Sequence, residues 1–184
     1  MRPKPELTDA PVEEQYHYCP RCGSDNQTRG SIPFRCLHCG FSQFFGPVAA
    51  VGGLVTNAHG ELLLVRRARE PGKGKWGLPG GFVDRQESVE QALAREIMEE
   101  TRLVVTHSEY LMTFPNQYNY HGVIAPVIDL FYLCRVQSLA ELRLAAEELE
   151  HFEWALPTLE HLENMAFFSN RVAIEKWLER SRAK

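Results

Sequence analysis

Apolar and polar positions along the chain follow two rhythms. Val48 to Thr56 is a run of aliphatic and small residues, and Glu61 to Arg66 holds the run Leu62-Leu63-Leu64-Val65, with Asn57-Ala58-His59-Gly60 between them. Aliphatic and β-branched runs that flank a glycine-bearing turn predict a β-hairpin. Val123 to Val136 predicts a buried strand broken at Pro126, and Phe152-Glu153-Trp154 a late strand. The second rhythm is helical. Between Glu87 and Thr101, Val89, Leu93, Ile97 and Met98 make one apolar stripe with acidic residues opposite; between Ser169 and Arg182, Val172, Ile174, Trp177 and Leu178 do the same, with Ser169 placed to cap the helix. Strands mixed with few helices and no repeated βαβ period predict an α/β layered domain with a mixed sheet.

Upstream of Pro47 both rhythms fade. Residues 1–15 are rich in Pro, Glu and Lys and predict a flexible leader. Residues 16–46 are short, polar and broken by Gly23, Gly30, Pro33 and Gly40, too little to bury a core unaided. Residues 47–184 are then the main domain. The whole chain, 184 residues and 44% hydrophobic, suffices for one well-buried core and a small satellite.

Four of the five cysteines supply the satellite's missing support. Cys19-Pro20-Arg21-Cys22-Gly23 and Cys36-Leu37-His38-Cys39-Gly40 are two knuckles, each able to aim two thiolates at one point. Redox-active Cys-x-x-Cys pairs would require a βαβ context that is absent here. The spacing therefore predicts a closed, structural zinc ribbon held by Cys19, Cys22, Cys36 and Cys39, with His17 and His38 as surface residues and Cys134 as a core thiol.

Charge narrows the partners. The chain carries 20 Lys+Arg against 24 Asp+Glu, and five of each fall within the first 46 residues, so neither the whole nor the ribbon bears a basic footprint for nucleic acid. No apolar run approaches the roughly 20 residues needed to span a bilayer, and Met1 to Glu6 has no secretory pattern. These features predict a soluble, cytoplasmic protein without a membrane partner.

Gly72-Lys73-Gly74-Lys75-Trp76-Gly77 satisfies a dinucleotide-binding spacing, but Leu78-Pro79-Gly80-Gly81 follows it and cannot open the required helix. The informative set is Gly80-Gly81, Glu87 and Arg95-Glu96-Ile97-Met98-Glu99-Glu100. On a helix Glu96, Glu99 and Glu100 share one face, and such carboxylates repel unless cations lie among them. Hard divalent cations take oxygen ligands and support phosphoryl chemistry.

From Gly81 through Glu87 and Arg95 to Leu103 the sequence resembles the Nudix hydrolase family, matching its motif at every position except Arg102, where the family has Gly. The resemblance implies an α/β/α sandwich. It also implies Mg²⁺ or Mn²⁺ held by Glu96, Glu99, Glu100 and the Gly81 carbonyl, with Arg95 orienting the carboxylates and Glu87 supporting them. The activity it implies is hydrolysis of a diphosphate linkage in a nucleotide derivative such as FAD, NADH, NAD or ADP-ribose, with Glu96, Glu147 or Glu148 as the general base. Arg66 and Arg67, which follow the Leu62–Val65 run, could contact phosphates, and Arg66, Tyr118, Tyr120 and Glu148 are taken as the candidate substrate contacts, the tyrosines serving equally well as strand packing. Thr113-Phe114-Pro115-Asn116-Gln117-Tyr118 lacks the aromatic pattern of NADH pyrophosphatases, whereas Ala166-Phe167-Phe168-Ser169 is similar to a segment of FAD or ADP-ribose pyrophosphatases. Family members are often dimers. A non-catalytic, nucleotide-sensing regulator with a nucleic-acid-binding ribbon is the alternative, and the intact glutamates speak against it.

Overall fold

The computed structural model describes residues 9–182. They form two compact units: one takes in the chain up to Val48 together with Gln117–Val127, the other Ala49–Asn116 together with the chain from Ile128 onward. The segment 117–127, assigned by its sequence position to the main domain, thus groups with the cysteine-bearing residues.

In the first unit Ala10–Pro11 forms β1 and Val12–Gln15 a 3-10 turn. The expected leader is therefore ordered from Ala10, because β1 lies parallel to Val123–Ile124 and the Ala10 N–H donates to Gly122 O at 3.0 Å. Its first eight residues lie outside the described residues. Phe34–Arg35 (β2) and Ser42–Gln43 (β3) pair antiparallel. Cys19, Phe34 and Cys36 form this unit's buried cluster, ringed by Tyr16, Cys39, Phe41 and Phe45, and Val127 is buried as well. So few buried side chains offset little of the entropy of ordering the unit, and folds of this kind usually draw on a cross-link or a metal.

The second unit takes in most of β4 (Val48–Val55), then β5 (Leu62–Arg67), β6 (Trp76–Gly77), α1 (Val89–Thr101), parts of β7 (Val105–Tyr120) and β8 (Val123–Val136), β9 (Leu149–Ala155), α2 (Leu159–Glu163) and α3 (Phe168–Arg182). β8 pairs with β4 and β7, while β6, β5 and β9 form a separate antiparallel sheet with Leu62 opposite Ala155 and Val65 opposite Phe152. Parallel β1–β8 and antiparallel β5–β9 pairings make the strand set mixed.

β5 shows why the layers form. Leu63 and Val65 pack with Val51, Val55 and the α1 residues Leu93 and Ile97, whereas Leu62 and Leu64 pack with Leu54, Phe131 and the α3 residues Ala173, Ile174 and Trp177. A strand buried on both faces reads as a continuous apolar run, which is what Leu62-Leu63-Leu64-Val65 is. Helices on the two faces give the α/β/α sandwich.

Three expectations change. The predicted hairpin does not form as a ladder: among the described residues β4 and β5 are joined just beyond the end of β4, by the Thr56–Leu62 bridge and the Asn57 N–H to Glu61 O bond of 3.0 Å. Both edges of β4 are taken, one by β8 and the other by Pro79–Val83, where Gly53 N donates to Pro79 O, Val51 N to Gly81 O and Val83 N to Ala49 O. Pro126 does not break β8, which runs on as one 14-residue strand. On α3, Ala173 and not Val172 joins the core.

Helix α1 begins at Ser88, whose side chain accepts from Gln91 N while Gln91 returns a bond to the cap. It ends at Arg102, with φ 63°, ψ 12° and its N–H on Met98 O. The left-handed end is kept despite a side chain that disfavours it by about 1 kcal/mol. Arg102→Gly should therefore stabilise the protein by about 1 kcal/mol and raise Tm by about 2–4 °C, measurable by thermal denaturation; an unchanged or lower Tm contradicts this.

Candidate active site and metal centre

One cation organises the end of α1. The Arg95 guanidinium binds Glu87 bidentately, Nε to Oε1 at 2.6 Å and a terminal nitrogen to Oε2 at 2.9 Å; its other terminal nitrogen donates to Glu96 at 2.8 Å and Glu99 at 3.0 Å. It also donates to Phe82 O at 3.1 Å, which fastens the Pro79–Val83 strip to the helix. Bonds to Arg95 hold the Glu87 carboxyl below the usual carboxylate range, and the same ion pairs drive the guanidinium pKa further up.

The three helical glutamates lie at different depths. The Glu99 side chain is 59% exposed and that of Glu96 15%, while Glu100 as a residue is 5% exposed. Arg95 does not reach Glu100, whose Oε2 instead accepts the Gly80 N–H at 2.8 Å. Burial first, then repulsion from Glu96 and Glu148, pushes the Glu100 carboxyl up to about 8; burial likewise raises Glu96. A buried carboxylate without a bonded cation, beside two further carboxylates, is a donor set that suits a hard divalent ion.

Two glycines let the strip approach this closely. A Cβ on Gly80 would stand 2.0 Å from Val51 O, at a φ of 150°, and a Cβ on Gly81 would stand 2.5–2.6 Å from the Glu96 carboxylate. Gly81's carbonyl already accepts from Val51 N at 2.8 Å, and a carbonyl oxygen can accept a second bond.

The other expected contacts divide. Glu148 is within electrostatic reach of Glu96 and Glu100 and is paired with Arg69 at 2.6 Å. Arg66 is taken up elsewhere: it donates to Gly74 O at 2.8 Å, pairs with Glu150 at 3.4 Å and lies over the Trp76 ring. Its neighbour Arg67 is the residue whose charge favours ionised Glu100, and its guanidinium rests over the Phe167 ring at 5.2 Å. Strand periodicity carried the signal, because Arg67 and not Arg66 continues the Leu63, Val65 face toward α1. Tyr118 and Tyr120 are strand residues on β7, stacked at 6.5 Å, and belong to the unit of the cysteine cluster.

In that unit the four cysteine sulfurs lie within 4.8 Å of one another, the one such convergence of ligand atoms among the described residues. Cys19–Cys39 and Cys22–Cys36 are each separated by 3.7 Å, close to the edge of about 3.8 Å that a tetrahedron with metal–sulfur bonds of about 2.3 Å requires and far from a disulfide. Ser24 bonds Cys22 and Cys36 at 3.1 and 3.3 Å and holds their thiols down, Cys22 at about 5 and Cys36 at about 7. Cys39 differs: against a backbone bond from Phe41, burial and the neighbouring sulfurs push it up to about 11, and the lowered Cys22 and Cys36 are the pair that favours the metal-binding thiolate. His17 and His38 are both exposed.

The NUDIX domain family model matches residues 46–176, and the chain belongs to that family. It is 44% identical over 61 residues to the ADP-ribose pyrophosphatase of Methanocaldococcus jannaschii, covering 33% of this chain and 36% of that protein. It is 32% identical over 109 residues to the NAD-capped RNA hydrolase NudC of Haemophilus influenzae, covering 55% and 40%. The matched regions thus span about two fifths or less of these relatives' length. Among solved structures, the MutT protein of Methanosarcina mazei Go1 superposes with TM-score 0.60 at 28% identity, over 77% of this chain and all of that one. Among the described residues no helix is long and apolar enough to cross a membrane.

Because Gly80 has no room for a side chain against Val51 O, Gly80→Ala should cost about 3 kcal/mol. Denaturant unfolding measures this, and a loss below about 1 kcal/mol would show that the strip relaxes freely.

Proposed function

We propose that this chain is a hydrolase of nucleoside diphosphate derivatives, with ADP-ribose and dinucleotides such as FAD, NAD and NADH ahead of triphosphates. The observation that carries this is the buried, cation-free Glu100 beside Glu96 and Glu148, on a helix whose remaining carboxylates are held in place by Arg95. Family membership and the likeness to an ADP-ribose pyrophosphatase support the substrate class.

Glu96, Glu99, Glu100 and the Gly81 carbonyl would hold Mg²⁺ or Mn²⁺. When bound, the ions neutralise developing charge on the phosphoryl oxygens and acidify a bound water. Arg95 and Glu87 are positioning residues that keep Glu96 and Glu99 pointed to one side of α1. As the water oxygen bonds to one phosphorus, the bridging P–O bond breaks, and a nucleoside monophosphate leaves together with the remaining phosphate ester. A carboxylate takes the water's proton; Glu148 suits this role because it stands near Glu96 and Glu100 yet outside the helix. Arg67 adds positive charge on the same side.

Turnover of ADP-ribose, FAD, NADH, NAD and nucleoside triphosphates with and without Mg²⁺ tests this reading. The expected result is Mg²⁺-dependent release of nucleoside monophosphate, lost by at least about 100-fold in the Glu99→Gln, Glu100→Gln double variant. Absence of turnover on the whole panel, or equal rates in both proteins, would sink it.

For the first unit, we propose that Cys19, Cys22, Cys36 and Cys39 hold a structural Zn²⁺, supported by the tetrahedral sulfur spacing. Elemental assay of freshly purified, reduced protein should find one zinc per chain; none would refute the assignment.

A further inference from the structure

The mechanism leaves one buried carboxylate unused. Asp129, on β8, is 7% exposed, and its Oδ2 accepts both the Ser169 hydroxyl from the first turn of α3, at 2.5 Å, and the Asn116 amide from β7, at 2.9 Å. Its other oxygen, Oδ1, accepts nothing from the described residues. It is also not among buried atoms left without a partner, so it keeps contact with solvent. Burial pushes the Asp129 carboxyl up and the two donors on Oδ2 act against that, while Oδ1 stays open to accept a hydrogen bond from a bound molecule in place of water.

What surrounds Asp129 indicates the ligand. Phe168, beside Ser169 in sequence, is 64% exposed although it is a large aromatic, and it meets Phe114 edge-to-face at 5.8 Å. Phe114 is half-buried against the core; it stands two residues before Asn116 on β7, and the exposed Phe168 stands one before Ser169 on α3. The preceding residue, Phe167, carries Arg67 on its face, and the charge of Arg67 acts on Glu100. Ring pair, open oxygen and carboxylate cluster are thus linked through consecutive residues of one compact unit.

We propose that Asp129 Oδ1 and the Phe114–Phe168 pair form a recognition subsite for a planar ring bearing an –NH2 donor, carried on the diphosphate substrate. The ring lies against Phe168, and its amine donates to Oδ1. This rests on the hydrolase reading for its place in the reaction but not for its chemistry. Two parts of the expected substrates carry such a group: adenine through its 6-amino group, and nicotinamide through its carboxamide.

The chemistry assigns a particular effect to Asp129→Asn. Ser169 and Asn116 both donate to the Oδ2 position, so the asparagine oxygen must take that place, which turns its NH2 group toward the position of Oδ1. The subsite then presents a donor where it presented an acceptor, and its preference moves from an amino to an oxo ring.

Equilibrium binding by calorimetry to native and Asp129→Asn protein tests this, with AMP against IMP for the purine and nicotinamide mononucleotide against nicotinic acid mononucleotide for the pyridine. The native protein should prefer the amino member of one pair by roughly 10- to 100-fold, and the pair showing the preference identifies the ring. Asp129→Asn should abolish or reverse that ratio. Phe168→Ala should weaken both members of the pair alike, by about tenfold, and leave their ratio unchanged. A native ratio near one in both pairs overturns the proposal, as does an Asp129→Asn protein that binds both members more weakly by the same factor, the mark of a structural role alone. If Asp129→Asn does not fold, the native ratios and Phe168→Ala decide the matter. Amino preference in a protein that turns over no diphosphate would refute the hydrolase reading and uphold the subsite.

Discussion

Carboxylates one helical turn apart, facing a partly desolvated strip of backbone, repel one another by several kcal/mol at the effective dielectric of a protein surface. Arg95 is the answer built into the fold. By binding Glu87, Glu96 and Glu99 together with Phe82 O, it fixes the direction of the acidic helix end and the position of the Pro79–Val83 strip at once. The strip fills the edge of β4 that β8 leaves open, while β5 pairs with β6 and β9 in the other sheet.

Glu100 is the exception to this neutralisation. It is the deepest of the helical carboxylates and is bonded to a backbone N–H instead of a guanidinium. A carboxylate buried in this way is costly to ionise unless positive charge comes near it. The cysteine cluster illustrates the opposite design. There the four sulfurs already lie within 4.8 Å of one another, in a unit whose buried cluster is small.

Much of this was legible along the chain. The stripe on α1, the continuous apolar run of β5, the two cysteine knuckles and the acidic motif depend on residues close in sequence, where helical or strand periodicity decides which side chains are neighbours. What was less legible involved competition between distant segments. Nothing near Asn57-Gly60 announces that Pro79–Val83 will take the edge of β4. The 16-residue β7 escaped because Val105–Tyr120 is largely exposed or half-buried and carries no apolar alternation. Arg66 was favoured over Arg67 although the period of the strand pointed the other way.

Local order thus determined the chemistry available to this protein: a helix that presents Glu96, Glu99 and Glu100 on one face, an arginine one residue before them, and four thiols in two turns. Only the tertiary structure decided which charge goes unmatched, which arginine faces the carboxylates, and that Asp129, Asn116 and Ser169 meet although 53 residues separate the first and last of the three in the chain. The physical reason is that burial and edge occupancy are settled by which remote segments win the same space, and no local pattern records that contest.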